Sequence, residues 1–73
     1  MAIANMSVNW KEVGKKIRQI RIAKNITQEE LAERTNMYQG DISAIESGRR
    51  TNLTLELLTR IAEALDVDVK VFL

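Results

Sequence analysis

Three carboxylates, Glu29, Glu30 and Glu33, fall within five residues, and Glu29 and Glu33 share one face if the segment is helical, which is the spacing of a conceivable cation site. Nothing around them completes a catalytic set. The chain has no histidine and no cysteine, which removes the commonest general base, thiolate nucleophiles, disulfides and ordinary zinc sites. With 3 glycines in 73 residues it also has no glycine-rich loop to cradle a phosphate. The sequence is therefore not expected to be an enzyme, and no metal, cofactor or small-molecule substrate is expected. The remaining chemistry is that of cations and side-chain amides. Arg49 and Arg50 are adjacent and follow Gly48, a pair suited to gripping phosphate. Gln39 and Ser43 stand four apart, one helical turn, so that both can present hydrogen-bonding groups from one face.

Net charge is only +1, but its distribution is polarised. In the first 28 residues Lys11, Lys15, Lys16, Arg18, Arg21 and Lys24 stand against Glu12 alone, and residues 29–48 carry Arg34 against five acids. Folding can gather the basic parts on one face. No apolar run approaches the roughly 18 residues of a membrane span, and Met1 to Met6 lacks the basic region and long apolar core of a secretory leader. A small domain without disulfides suits a reducing, cytoplasmic setting.

Helices must position these groups. Val13, Ile17 and Ile20 recur at helical intervals through 11–24, and Leu55, Leu58, Ile61, Ala62 and Leu65 do so through 54–65. Between them, Thr27 and Glu30 have capping-box spacing and Ile26 can staple onto Leu31, which predicts a short helix over about 28–34. Asn36 tolerates the left-handed backbone of a sharp turn. A further helix is predicted over about 39–47, burying Ile42 and Ile45 and stopped by Gly48. The tail, 66–73, alternates polar and apolar residues and fits a short strand, whose open edge would need a second chain. It equally fits a fifth helix capped by Asp68, with Val69, Phe72 and Leu73 closing the core. The absence of a partner strand in a monomer favours the helix. Residues 1–9 are expected to form an N-terminal arm and 10–73 a single all-α domain.

Two short helices joined by a tight turn match the helix-turn-helix arrangement. The residues make the match specific. Arg18-Gln19-Ile20-Arg21, then Thr27-Gln28-x-x-Leu31-Ala32, then Ile42-x-x-Ile45-Glu46-x-Gly48, then Leu57 to Leu65 together resemble the Xre/Cro-type regulators, the five-helix DNA-binding domain of lambdoid phage repressors. The resemblance covers roughly 13–73. It implies a transcriptional regulator, most simply a repressor, binding double-stranded DNA with the 39–47 helix in the major groove. Gln39, Gly40, Ser43 and Ala44 then face the bases: the Gln39 amide suits adenine N6 and N7, and Ala44 suits a thymine methyl. Gln28, in the first turn of the preceding helix, is expected on a phosphate, with Tyr38, Arg49, Arg50 and Lys11 as further backbone contacts. Arg21 and Glu46 match a pair that ties the first helix to the recognition helix. Tyr38 departs from the usual Ser or Thr cap, Asp41 from a small hydroxyl, and Leu53 from a common proline.

Operators of such proteins are usually two-fold symmetric, so the resemblance also implies a homodimer, with Leu57, Val69, Val71 and Phe72 as interface candidates. A phage-type regulator and a restriction-modification controller both fit. The alternative in another class is an antitoxin that binds a toxin protein and represses its own operon; the chain has little beyond the DNA-binding fold with which to wrap one.

Overall fold

The computed structural model describes residues 8–73. Four α-helices follow one another, α1 (Trp10–Ala23), α2 (Gln28–Thr35), α3 (Gln39–Ser47) and α4 (Leu55–Ala64), and a 3-10 helix (Val69–Phe72) ends the chain. Apart from residues 8 and 9, the expected N-terminal arm lies outside the described residues.

Three of the four α-helices begin with a side-chain cap. Asn9 accepts from the Glu12 amide at 3.1 Å, Thr27 from that of Glu30 at 3.0 Å, and Thr54 from that of Leu57 at 3.0 Å. At α2 the Glu30 carboxylate also accepts from the Thr27 amide at 2.8 Å, completing the capping box read from the sequence. These hydrogen bonds hold the Glu30 carboxyl below the ordinary glutamate range. The chain reverses after each α-helix at a left-handed residue: Asn25, Asn36, Asn52 and Asp66 all have φ 58°, and Gly48 has φ 81°.

The apolar stripes converge on one core. Ile17, Leu31, Ile42, Ile45, Leu58, Ile61, Leu65 and Phe72 are almost wholly withdrawn from solvent. Thr35, buried among them, donates its hydroxyl to the Leu31 carbonyl at 2.7 Å, so its polarity is satisfied within its own helix.

The tail corrects two expectations. Among the described residues there is no strand, and the fifth element is a single 3-10 turn rather than a fifth α-helix. Asp68 does cap it, accepting from the Lys70 amide at 2.8 Å. The left-handed Asp66 turns the chain back before the valines, so apolar residues enter the core at a spacing of three. Val69 is half-buried and Phe72 is 1% exposed, while Val71 faces solvent. Leu73 is 65% exposed and does not close the core as expected.

Candidate nucleic-acid interface

The turn between α2 and α3 is built by the backbone. With Asn36 left-handed, its amide donates to the Glu33 carbonyl at 3.2 Å and the Met37 amide donates to that of Ala32 at 2.8 Å. Tyr38 then starts α3 with no side-chain cap, and at 83% exposure it packs on nothing; its hydroxyl is free to reach outward.

α3 buries Ile42, Ile45 and Glu46. Glu46 is held in a fork: Arg21 Nε and Nη2 donate to its two oxygens at 2.6 and 3.0 Å, and Arg21 Nη1 donates to the Ile26 carbonyl at 2.8 Å. The pair expected from the resemblance thus joins α1 to α3 and to the start of α2, fully hydrogen-bonded and nearly dry. The network continues outward. Gln28 Nε2 donates to Glu46 Oε1 at 3.0 Å, and Gln28 Oε1 accepts from Gln39 Nε2 at 3.4 Å. Gln28, the expected phosphate contact, therefore sits between the buried pair and the expected base reader, with one amide hydrogen left to give.

α1 and α3 cross closely at Gly14. A Cβ built there would lie 2.1 Å from the Ile45 carbonyl oxygen and 2.9 Å from that of Glu46. Gly14 was not singled out in the sequence, although a glycine inside an amphipathic helix costs about 1 kcal/mol and so calls for a packing reason. The same crossing brings cations of α1 to the recognition helix. Arg18 lines a shallow hollow with Gln28, Ser43 and Ser47, and Lys11, Lys15 and Arg18 line the adjoining one with Ser47. Lys11 also packs against Gly48. Arg18 thus lies beside Ser43 and Ser47 of α3, a placement that sequence reasoning missed, because its charge alone did not say which face of α1 it occupies.

The other residues expected to meet DNA differ in exposure and partners. Gly40 is exposed and meets nothing within 4 Å of an added Cβ, whereas Ala44 is half-buried. The Arg50 amide caps the Ala44 carbonyl at 3.0 Å, and its guanidinium lies 3.9 Å from Asp41. Arg49 turns the other way, onto Ser43 and Ser47. Glu29 and Glu33 are exposed on α2, and among the described residues no group of three acidic side chains could hold a metal.

The dimer candidates separate. Phe72 is withdrawn into the core and has no surface to offer a second subunit; the 3-10 turn that carries it packs against α1 and α4. Leu57 and Val69 are half-buried against the core, and Val71 is 44% exposed. Leu55 and Ile22 add exposed apolar surface; Leu55, expected in the apolar stripe of its helix, lies in the first turn of α4 and is 63% exposed.

A bihelical unit whose second helix is braced from behind and presents small and amide side chains outward, flanked by cations, defines a helix-turn-helix DNA-binding regulator rather than an enzyme. The chain belongs to the helix-turn-helix family, whose profile matches residues 17–72. It is 43% identical over 58 residues to the control protein C.BamHI of Bacillus amyloliquefaciens, covering 78% of this chain and 70% of that one. It is 33% identical over 61 residues to the transcriptional regulator SinR of Bacillus subtilis, 84% of this chain but 55% of SinR. Among solved structures, the restriction-modification controller C.AhdI of Aeromonas hydrophila superposes with TM-score 0.82 at 28% identity, covering 88% of this chain and 96% of that one. SinR, solved in complex with DNA, superposes with TM-score 0.77 at 32% identity, covering 82% and 95%. No helix among the described residues is long and apolar enough to cross a membrane.

Proposed function

We propose that this chain acts in the cytoplasm as a homodimeric regulator of the restriction-modification controller type, reading a two-fold symmetric operator with one α3 in each major-groove half-site. The observation that carries the reading is the continuous brace from Arg21 through Glu46 and Gln28 to Gln39. A recognition helix held this way presents its amide in a fixed direction, which is what bidentate pairing with a base demands. Gln39 is the leading base reader, with Gly40 and Ala44 letting the helix lie close to the bases. Gln28, Tyr38, Arg50, Lys11 and Arg18 meet the backbone. The second subunit is held through the exposed apolar residues Leu55 and Val71 with Leu57 and Val69 behind them. Similarity to C.BamHI and C.AhdI supports the controller role over a phage regulator or an antitoxin.

Selection of bound sites from random duplex DNA tests this. The expected product is a palindrome with half-sites about 34 Å apart, bound by a dimer whose log affinity falls against log salt with slope about −5, for roughly three phosphates per subunit. Gln39→Ala should lose preference at one symmetric pair of positions and keep its non-specific affinity. A slope near zero on every duplex refutes the reading.

A further inference from the structure

Arg49 stands in the loop where the sequence suggests a phosphate grip, yet its side chain lies back along the outward face of α3. Its Nε donates to Ser47 Oγ at 2.9 Å and its Nη2 to Ser43 Oγ at 3.5 Å. The Ser47 hydroxyl gives its own hydrogen to the Ala44 carbonyl at 3.1 Å, so its lone pairs face Arg49, and the Arg49 amide also points at it, at 3.4 Å. Ser43 and Ser47 are one turn apart and share a face, so they hold one edge of the guanidinium, the Nε and Nη2 edge, parallel to the helix. The edge formed by Nη1 and Nη2 is left open, and the residue is exposed. Two coplanar N–H donors presented from the groove-facing side of a recognition helix are the complement of guanine O6 and N7, the commonest bidentate contact in major grooves. The neighbouring Arg50 does not share this arrangement: it turns toward Asp41, 3.9 Å away, and keeps the backbone role.

We infer that Arg49 is a specificity-determining residue that reads guanine in each half-site, with Ser43 and Ser47 as the positioning residues that aim its fork. The inference rests on the reading that α3 enters the major groove. It changes the role of Ser43 from a direct base contact to a support, and it supplies a guanine contact beside the adenine contact of Gln39. Because two hydroxyls fix the side chain before DNA arrives, less rotamer freedom is lost on binding than for an arginine free in solvent.

Site selection with the wild-type protein, Arg49→Lys and Ser47→Ala, each with a salt titration on the selected operator and on an unrelated duplex, tests the assignment. The wild type should enrich guanine at a symmetric pair of positions. Lysine keeps the charge but not the fork, so Arg49→Lys should retain the salt slope and non-specific affinity and lose roughly 5- to 150-fold of discrimination at those positions. Ser47→Ala should lose several-fold of the same discrimination, again with the slope unchanged, a change that a phosphate-gripping Arg49 would not produce. Operator selection by the wild type with Arg49→Lys leaving preference unchanged at every position overturns this inference alone. Enrichment of no sequence by the wild type overturns the groove reading on which it rests as well.

Discussion

Gly14→Ala sets two effects of opposite sign against each other. Alanine is the better helix former by about 1 kcal/mol, and the position is interior to α1. The new methyl, however, would sit 2.1 Å from one backbone carbonyl oxygen and 2.9 Å from the next, and backbone cannot rotate away as a side chain can. Relief requires α1 and α3 to part, which loosens Ile17 and Ile45 and stretches the Arg21–Glu46 fork. Overpacking of a core by one carbon costs about 1–3 kcal/mol, and a clash confined to backbone belongs at the upper end. The net loss is then about 2 kcal/mol, out of roughly 4–11 kcal/mol for a domain of this length. At roughly 4–8 °C per kcal/mol the Tm falls by about 8–16 °C. Gly40→Ala is the internal control: nothing lies within 4 Å of its added Cβ, so only the propensity gain remains and the Tm should rise, by up to about 8 °C. Thermal unfolding followed by circular dichroism reads both. If Gly14→Ala melts at or above the wild type, the close crossing of α1 and α3 is not what places that glycine.

Removing one partner of the buried fork leaves the other charged and dry, so Glu46→Ala should cost about 3–5 kcal/mol in urea denaturation, and pairing it with Arg21→Met should restore much of that loss; equal losses in single and double variants would contradict the coupling. The Glu30 carboxyl, lowered mainly by the hydrogen bonds it shares with Thr27, contributes stability that is present above its unfolded value and lost as pH falls through its folded value, so the capping box weakens in acid. An NMR titration should find Glu30 below ordinary glutamates and Thr27→Ala should raise it; a Glu30 that titrates normally in the intact protein would count against the cap.

What could be read from the sequence was local or carried by a distinctive spacing. The capping box lies within four residues and its partners are fixed by helix geometry alone, so Thr27 and Glu30 were legible without a fold. Asn36 was legible because the chain has to turn between two predicted helices; Asn25 and Asp66, which take the same left-handed backbone, follow the two longer helices, whose apolar pattern carries no stop signal, and Asn52 lies in the loop beyond the Gly48 stop. The tail stayed divided between strand and helix because three valines at alternate positions imitate a strand; the helix, favoured for want of a partner strand, is a 3-10 turn capped by Asp68, and the left-handed Asp66 that sets its direction acts through a backbone angle that composition does not reveal. Phe72 stood both as a core residue and as a dimer candidate, and only the reversed tail decides between them by withdrawing it into the core. Arg18 and the posture of Arg49 depend on how α1 crosses α3 and on two serine hydroxyls, contacts that no single helix encodes.

α3 itself explains why so much of the interface is decided elsewhere. It has 9 residues, no side-chain cap at Tyr38, and Gly40, Ser43 and Ser47 among its weak helix formers, well short of the roughly 12–15 good residues an isolated helix needs. Small and polar residues suit a helix that must lie against base edges, but they leave it little stability of its own. Its shape and direction are therefore imposed from behind, by the Gly14 crossing, by Arg21 on Glu46, and by Lys11 packed on Gly48 at its end. The same small and polar residues that we propose to face the bases make α3 dependent on α1. Operator affinity should consequently respond to substitutions on the inner face of α1 that touch no DNA, in proportion to how far they let α3 rotate.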